Sequence, residues 1–177
     1  LKASVHGATS DPKKPTCVSC HGSGHAIRPM THKDSPLKGA AANKTCDSCH
    51  ARAHDGRRDC VHFKLVKSGN PRGANCVSCH GGHEMQKADV KQTPGFRVDT
   101  IERCGAGHEG ALSHYKESIH GEKIFKEKDL NSATCLDCHY DCDFGVISHL
   151  KKTSKTHTAK ISATCAACHE DHRTVVR

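Results

Sequence analysis

The spacing of apolar residues predicts few regular elements in this chain. The clearest helical period lies in residues 109–120, where Leu112, Tyr115 and Ile119 fall on one face and Gly121 follows as a stop signal. Elsewhere the pattern specifies secondary structure only weakly, so most of the chain is expected to form loops and short helices.

Three further segments carry recognisable signals. Phe144 to Lys152 is predicted as a second helix, and Gly69 to Gly73, with its Asn-Pro pair, as a turn. Lys87 to Thr100, which contains Pro94-Gly95, is predicted as a loop and is the nearest thing to a linker. Because no clean boundary appears, residues 1–177 are treated as one domain.

The composition cannot fill an ordinary hydrophobic core. Apolar residues, cysteine included, make up 34% of the 177 residues, aromatic residues make up 3%, and tryptophan is absent. Such a composition is typical of marginal or disordered chains. The 13 cysteines and 17 histidines change that picture, because most of them fall in a repeated motif.

Five copies of the sequence C-x-x-C-H occur, of which Cys76-Val77-Ser78-Cys79-His80 is the clearest. This sequence attaches a c-type haem: two thiols add across the vinyl groups, and the histidine becomes an axial iron ligand. Half of a zinc site or a redox pair also uses C-x-x-C, but neither requires a histidine after every second cysteine. The predicted attachment cysteines are Cys17, Cys20, Cys46, Cys49, Cys76, Cys79, Cys135, Cys138, Cys165 and Cys168, with His21, His50, His80, His139 and His169 as iron ligands.

A degenerate sixth copy lies in the one long gap between motifs. Cys104-Gly105-Ala106-Gly107-His108 keeps the first cysteine and the histidine, and with it the first cysteines are 29, 30, 28, 31 and 30 residues apart. The chain is therefore six units of about thirty residues. We expect a sixth haem held by one thioether to Cys104 and by His108, although an empty, decayed slot is the other interpretation.

Haem would also supply the missing core, because each porphyrin is a large apolar plate. The predicted fold class is mostly irregular with short α-helices, little or no β-sheet, and a chain of c-type haems as its core. The formal charge of +8 is then offset by propionates to about +2 oxidised and about −4 reduced. With no aromatic residues interleaved among the basic ones, nucleic-acid binding is not expected.

Eleven histidines lie outside the motifs and are candidates for the second axial positions. Spacing does not tell which iron each one binds. Five of them precede the first cysteine of the next motif by 11 to 16 residues: His6, His32, His62, His120 and His149. The Cys104 unit lacks a histidine in that window, and its nearest upstream candidate is His83. His172 shares with His83 a place three residues after a motif histidine, and both are favoured over His25, His54, His114 and His157.

A longer repeat relates the two ends of the chain. Ser4-Val5-His6-Gly7 resembles Ser118-Ile119-His120-Gly121, and a shift of 114 to 119 residues also superposes the motifs that follow. Residues 1–60 and 115–177 are therefore predicted as copies of a two-unit module. Two cysteines are left over, Cys60 and Cys142, for which a disulfide is the simplest assignment and a free thiol or an iron ligand the alternative.

The motifs Ser-Val-His-Gly and Cys-Val-Ser-Cys-His-Gly-Gly-His resemble those of multihaem c-type cytochromes of anaerobic respiration, over nearly the whole chain. The haem density is similar to that of the small tetrahaem cytochromes of sulfate reducers, and the group also includes cytochromes that polymerise into extracellular conducting filaments. The resemblance implies low-spin haems with two histidine ligands in close contact, and the Cys104 site departs from it.

The expected function is electron transfer rather than catalysis, because an iron with two protein ligands has no open position for a substrate. Haem attachment of this type normally takes place outside the cytoplasm, so a periplasmic or extracellular conduit is expected. No apolar run is long enough to span a bilayer, and residues 1–4 do not resemble a signal peptide. Its partners would be redox proteins, extracellular acceptors or, in a filament, further copies of the chain. The alternative is a multihaem reductase of a small nitrogen or sulfur oxyanion, with an open iron at His108.

Overall fold

The computed structural model describes residues 1–56, 58, 60–87, 94–140 and 147–169. These residues form short α-helices and irregular segments without a β-strand, which confirms the fold class at that level. One 3₁₀-helix covers Gly24–Ala26. The α-helices are α1 (Val5–Ala8), α2 (Cys17–His21), α3 (Gly39–Asp47), α4 (Ala51–Gly56), α5 (Val61–Lys67), α6 (Cys76–His80), α7 (Pro94–Gly105), α8 (Glu109–Glu117), α9 (Ile119–Phe125), α10 (Cys135–His139) and α11 (Ile161–Ala166).

Three of the motifs form a helix of their own. Helices α2, α6 and α10 each begin at the first motif cysteine and end at the motif histidine. Helical spacing of three and four residues brings both cysteines and the histidine to one face. Each helix starts in a capping box, in which two side chains satisfy the free N–H groups of the first turn. The boxes pair Thr16 with Ser19, Asn75 with Ser78, and Thr134 with Asp137.

The other three units place their first cysteine at the end of a longer helix. Cys46 lies in the last turn of α3, Cys104 in the last turn of α7, and Cys165 near the end of α11. The two kinds of unit alternate along the chain, so α1–α3, α5–α7 and α9–α11 are three copies of one two-unit module. The two units at the centre of the chain, at Cys76 and Cys104, are therefore a third copy of the predicted repeat.

The predicted helix at residues 109–120 begins where expected but ends early. Helix α8 stops at Glu117, and α9 starts immediately after the extended residue Ser118. The Ser118 hydroxyl accepts a hydrogen bond from the Gly121 N–H at 3.2 Å and so caps α9. The prediction that Gly121 is a stop signal is wrong: this glycine is buried inside α9, at a close approach to Tyr115.

The predicted loop at Lys87–Thr100 is wrong from residue 94 onwards, and residues 88–93 lie outside the described part of the chain. Pro94 opens α7, at the first helical position, where its missing N–H costs nothing. Helix α7 then buries Phe96, Thr100 and Ile101, which follow helical spacing.

The second predicted helix, Phe144 to Lys152, is also wrong in its described part, residues 147–152, which form turns. The Ser148 hydroxyl accepts a hydrogen bond from the Leu150 N–H, a local bond that competes with helix formation, and Leu150 is 79% exposed. The turn at Gly69–Gly73 is confirmed: Gly69 has a φ of 78°, and the Gly73 N–H donates to the Asn70 carbonyl.

Side chains alone form only a small core. The buried apolar residues of the described part are Ala42, Cys60, Val66, Phe96, Ile101, Ile124 and Ile147. The chain exposes 12254 Å² of surface, whereas a folded monomer of 19.1 kDa exposes about 8,400 Å². Among the described helices, none combines the length and the apolar character that a bilayer crossing requires.

Candidate cofactor site

Histidine rings face one another in pairs, and each pair contains one motif histidine. Within each module, a histidine of the first helix faces the motif histidine of the second unit. The ring centres are 6.0 Å apart for His6 and His50, 5.8 Å for His62 and His108, and 6.0 Å for His120 and His169, with interplanar angles of 41°, 52° and 42°.

A fourth pair joins two modules. His21 of the first unit faces His83 at 5.7 Å and 39°, and His83 follows the motif of the third unit. One ring nitrogen of His21, Nδ1, is buried and has no hydrogen-bond partner among the described residues. The first and second modules are thus connected through an imidazole pair.

The pairing differs from the order in which the histidines precede the motifs. His6, His62 and His120 do not face the histidine of the next motif along the chain; each faces the histidine of the motif after that one. His83 faces His21 instead of His108. The reason is that each connecting segment folds back, so distance along the chain does not measure distance in space. The degenerate unit consequently has an imidazole, His62, beside His108.

The separation of the paired rings leaves room for one metal ion. A metal bound by two imidazoles on opposite sides lies about 2 Å from each nitrogen, which puts the ring centres about 6 Å apart. Burial and the neighbouring His50 lower the pKa of His6. This favours the neutral imidazole, the form that binds metals.

His80 is different, because the ring that it faces in the described part of the chain belongs to Phe96. The ring centres are 5.8 Å apart and nearly parallel, at 18°. Burial, the nearby Arg103 and His50 lower the pKa of His80. Sequence reasoning missed the helix α7, which carries Phe96 and Arg103, because it treated residues 87–100 as a loop. Pro94 followed by apolar residues at helical spacing was the signal for this helix.

The remaining predicted histidines are not brought to a motif histidine in the described ranges. His32 lies 3.1 Å from Arg28 Nη1 and next to Asp34, and His149 is exposed. His172 lies outside the described residues. His25 and His114 are exposed. His139 lies at the end of α10, with its motif cysteines on the same helix face.

Motif cysteines of consecutive units are neighbours along the described chain. The Cys46 thiol lies beside that of Cys76, and the Cys104 thiol lies beside that of Cys135. The neighbouring Cys135 thiol, followed by burial, raises the pKa of Cys104, and the Cys104 thiol lowers the pKa of Cys135. The helices of successive units are in contact: α2 with α3, α3 with α6, α6 with α7, and α7 with α10. Cys138 of the fifth unit lies near Cys165 of the sixth. The six units therefore follow one another in space in their sequence order.

Asp137 supports the fifth unit from within its motif. Its Oδ2 accepts hydrogen bonds from the Thr134 N–H at 2.6 Å and from Arg97 Nη2 at 2.7 Å. Burial alone would raise the pKa of Asp137, but the bonds from Thr134 and Arg97 outweigh it and lower that pKa. The carboxylate thereby connects α10 to α7 of the preceding module.

Cys60 is buried at the start of α5, in the place that Ser4 and Ser118 take in the other modules. Its predicted disulfide partner, Cys142, lies outside the described residues. Within the described ranges, no group of three or more His, Cys, Asp or Glu side chains is arranged to hold a metal ion. Comparison with protein-family models, with curated proteins and with solved structures gives no match.

Proposed function

We propose that this chain is a multihaem c-type cytochrome that carries electrons outside the cytoplasm through six haems. The observation that carries the proposal is the set of four imidazole pairs, each built on a motif histidine with ring centres 5.7 to 6.0 Å apart. That donor set fits an iron porphyrin held by thioethers and two histidines. When bound, the haem supplies reversible one-electron exchange at its iron.

The residues of the chain restrict the chemistry to electron exchange at these four positions. Two imidazoles leave no open position on an iron, so a substrate cannot bind there. The role of the chain is then to hold each group at a fixed spacing, to exclude water and to adjust the potentials through nearby charges. Electron transfer follows from this donor set more directly than reduction of an oxyanion does.

The order of the attachment cysteines supports a single conduit. Each unit lies beside the next one, from the unit of Cys17 to the unit of Cys168. The degenerate unit follows the same order, because Cys104 lies near Cys79 of the third unit and Cys135 of the fifth. Electrons would enter at one terminal unit and leave at the other.

The scarcity of buried side chains supports haem as the interior. The chain exposes roughly 3,800 Å² more surface than a folded monomer of its mass. Two large apolar side chains, Val18 within the first motif and Ile27 shortly after it, are more than half exposed. Porphyrin plates lying against such residues would remove this apolar surface from water.

Intact-protein mass together with a haemochrome spectrum tests the proposal. Six haem additions are expected, one of them with the spectrum of a single thioether. A Gly107→Cys variant should complete the fourth motif, because a Cβ there has only the Cys104 carbonyl within 4.0 Å. Its mass should still show six haems, and the single-thioether component should disappear. A colourless protein, or one that binds zinc, would overturn the proposal, and five additions would remove the fourth haem from it.

Assembly into a filament is a second candidate, favoured by two histidines left over in the described chain. Of the histidines predicted from the 11-to-16-residue window, His32 and His149 are the two that face no motif histidine there, so they are candidates to bind a haem of a neighbouring copy. His6 is not, because it already faces His50. Negative-stain microscopy of the native material should show fibres that a His149→Ala variant no longer forms. Wild-type material that stays monomeric would exclude this candidate.

A further inference from the structure

We propose that Asn43 is a positioning residue for covalent haem attachment at the third unit, because its side chain holds the first cysteine of that unit, Cys76, from the neighbouring module. This inference rests on the proposed function, since it concerns how the third haem becomes attached. Attachment precedes electron transfer, so Asn43 acts in the assembly of the holoprotein and not in its redox cycle.

Two hydrogen bonds of Cys76 converge on one oxygen atom. The Cys76 N–H donates to Asn43 Oδ1 at 3.1 Å, and the Cys76 thiol donates to the same oxygen at 3.1 Å. An amide oxygen has two lone pairs and can accept both bonds. Asn43 precedes Cys76 by 33 residues and belongs to α3 of the first module. The backbone and the side chain of the cysteine are therefore held by one group from another unit.

Asn43 is an unusual residue for its place in the fold. It is 6% exposed and lies inside α3, where asparagine is a poor helix former and a buried amide without partners is costly. In α7, the position three residues before the first motif cysteine is taken by Ile101, which is fully buried. An apolar side chain therefore fits at this place, so packing alone does not require an amide. The bonds to Cys76 give the reason for asparagine in α3.

The residue before the cysteine is bound to the same helix. Asn75 Oδ1 caps α6 by accepting a hydrogen bond from the Ser78 N–H at 3.1 Å. The Asn75 side-chain amide donates to the carbonyl of Gly39, the first residue of α3, at 3.4 Å. Two consecutive residues at the start of α6 are thus fixed on α3, so the first turn of this motif is oriented by the first module.

Attachment requires the thiol to be held where it can react. The Cys76 S–H adds across a vinyl group: the S–H bond and the π bond break, a carbon–sulfur and a carbon–hydrogen bond form, and no oxidant or reductant is consumed. Holding a reacting group in place raises the rate of such a step, because less freedom remains to be lost. A thiol is a weak donor, so its bond to Asn43 orients the sulfur at little cost to its reactivity. The bond from the Cys76 N–H persists after attachment, whereas a thioether can no longer donate.

Alkylation of free thiols in the recovered holoprotein, followed by peptide mass, tests this role. Asn43→Ala should raise the ratio of free to haem-bound Cys76 about two- to tenfold, the factor that one hydrogen bond contributes. The other motif cysteines should stay bound. Asn43→Asp keeps an acceptor oxygen and should restore attachment. Asn131→Ala is the matched control, because this exposed asparagine lies four residues before the first cysteine of the fifth motif. It should leave every thioether in place.

The outcomes separate positioning from folding. Complete attachment of Cys76 in Asn43→Ala would overturn the inference and leave the proposed function intact. Equal loss of thioethers at several units would assign Asn43 to folding alone and would also overturn it. Failure of Asn43→Asp to restore attachment would count against it in the same way, because the accepted hydrogen bonds would not be the cause. A wild-type protein without haem would instead remove the proposed function itself.

Discussion

Replacing Gly121 by alanine is the sharpest test of how the chain positions its histidines. A Cβ at Gly121 would lie 1.9 Å from the Tyr115 carbonyl oxygen and 2.9 Å from Lys116 Cα. Both are backbone atoms, so a change of side-chain rotamer cannot relieve the clash. The same carbonyl also accepts a hydrogen bond from the Ser118 hydroxyl at 2.7 Å, which holds α8 and α9 together.

The size of the effect follows from these distances. Ordinary contact begins at 3.4 Å, so α9 must move by the difference, about 1.5 Å, relative to α8. Overpacking of this kind costs about 1–3 kcal/mol, and for a chain of this length that lowers Tm by roughly 3–10 °C. His120 is the preceding residue and moves with the helix, whereas metal–ligand distances tolerate only about 0.2 Å. The pair of His120 and His169 should therefore open.

The assay is thermal unfolding of the holoprotein followed by circular dichroism, together with the fraction of high-spin haem. Gly110→Ala is the matched control: it lies in the neighbouring helix α8, and a Cβ there meets no atom within 4 Å. It should stabilise the protein by up to about 1 kcal/mol. Gly121→Ala should lower Tm and convert about one-sixth of the haem to high spin. If both variants melt alike and show no more high-spin haem than the wild type, the argument that α9 sets the position of His120 is refuted.

Two further perturbations test single side chains of the site. His62→Ala should convert about one-sixth of the haem to high spin by removing the partner of His108, while His114→Ala, at an exposed position of α8, should leave the spectrum unchanged. Asp137→Ala should cost about 1–2 kcal/mol by removing the acceptor for Thr134 and Arg97. Because the pKa of Asp137 is lowered on folding, its stabilisation is complete at neutral pH and is lost as the pH falls below about 4. Melting curves of this variant and the wild type should converge in acid, and a gap that is independent of pH would contradict the assignment.

Sequence reasoning could select the histidines that face one another but not their pairing. The motif histidines follow from the repeated motif, and His6, His62, His83 and His120, which face them, follow from their spacing to the motifs. Which rings meet depends on how each connecting segment folds back, and nothing local to His6 indicates that it reaches His50 and not His21.

The three-module repeat was only partly predictable for a similar reason. The first and third modules share the sequence Ser-Val/Ile-His-Gly, whereas the middle module has Cys60-Val61-His62-Phe63 at that place. The middle module therefore resembles the other two in its backbone structure more than in its residues. Helix α7 was missed because a proline followed by a glycine was interpreted as a turn. A proline can mark either a turn or the first position of a helix, and the local sequence is the same in both cases. The burial of Phe96 and Ile101 identifies this proline as the start of a helix.

The sequence separation of the facing histidines leads to a prediction about folding. The pairs join residues 44, 46, 49 and 62 positions apart, so each one closes a long loop. No described helix exceeds twelve residues, a length that is marginal in isolation, and few apolar side chains are buried. Two facing imidazoles do not attract one another, so under the proposed function the haems bound between them would provide the free energy that closes these loops. The chain made with all motif cysteines replaced by alanine should therefore be largely unfolded by circular dichroism, whereas the holoprotein should unfold cooperatively on heating. An apo-chain with the helix content and melting transition of the holoprotein would mean that side-chain packing alone maintains this fold.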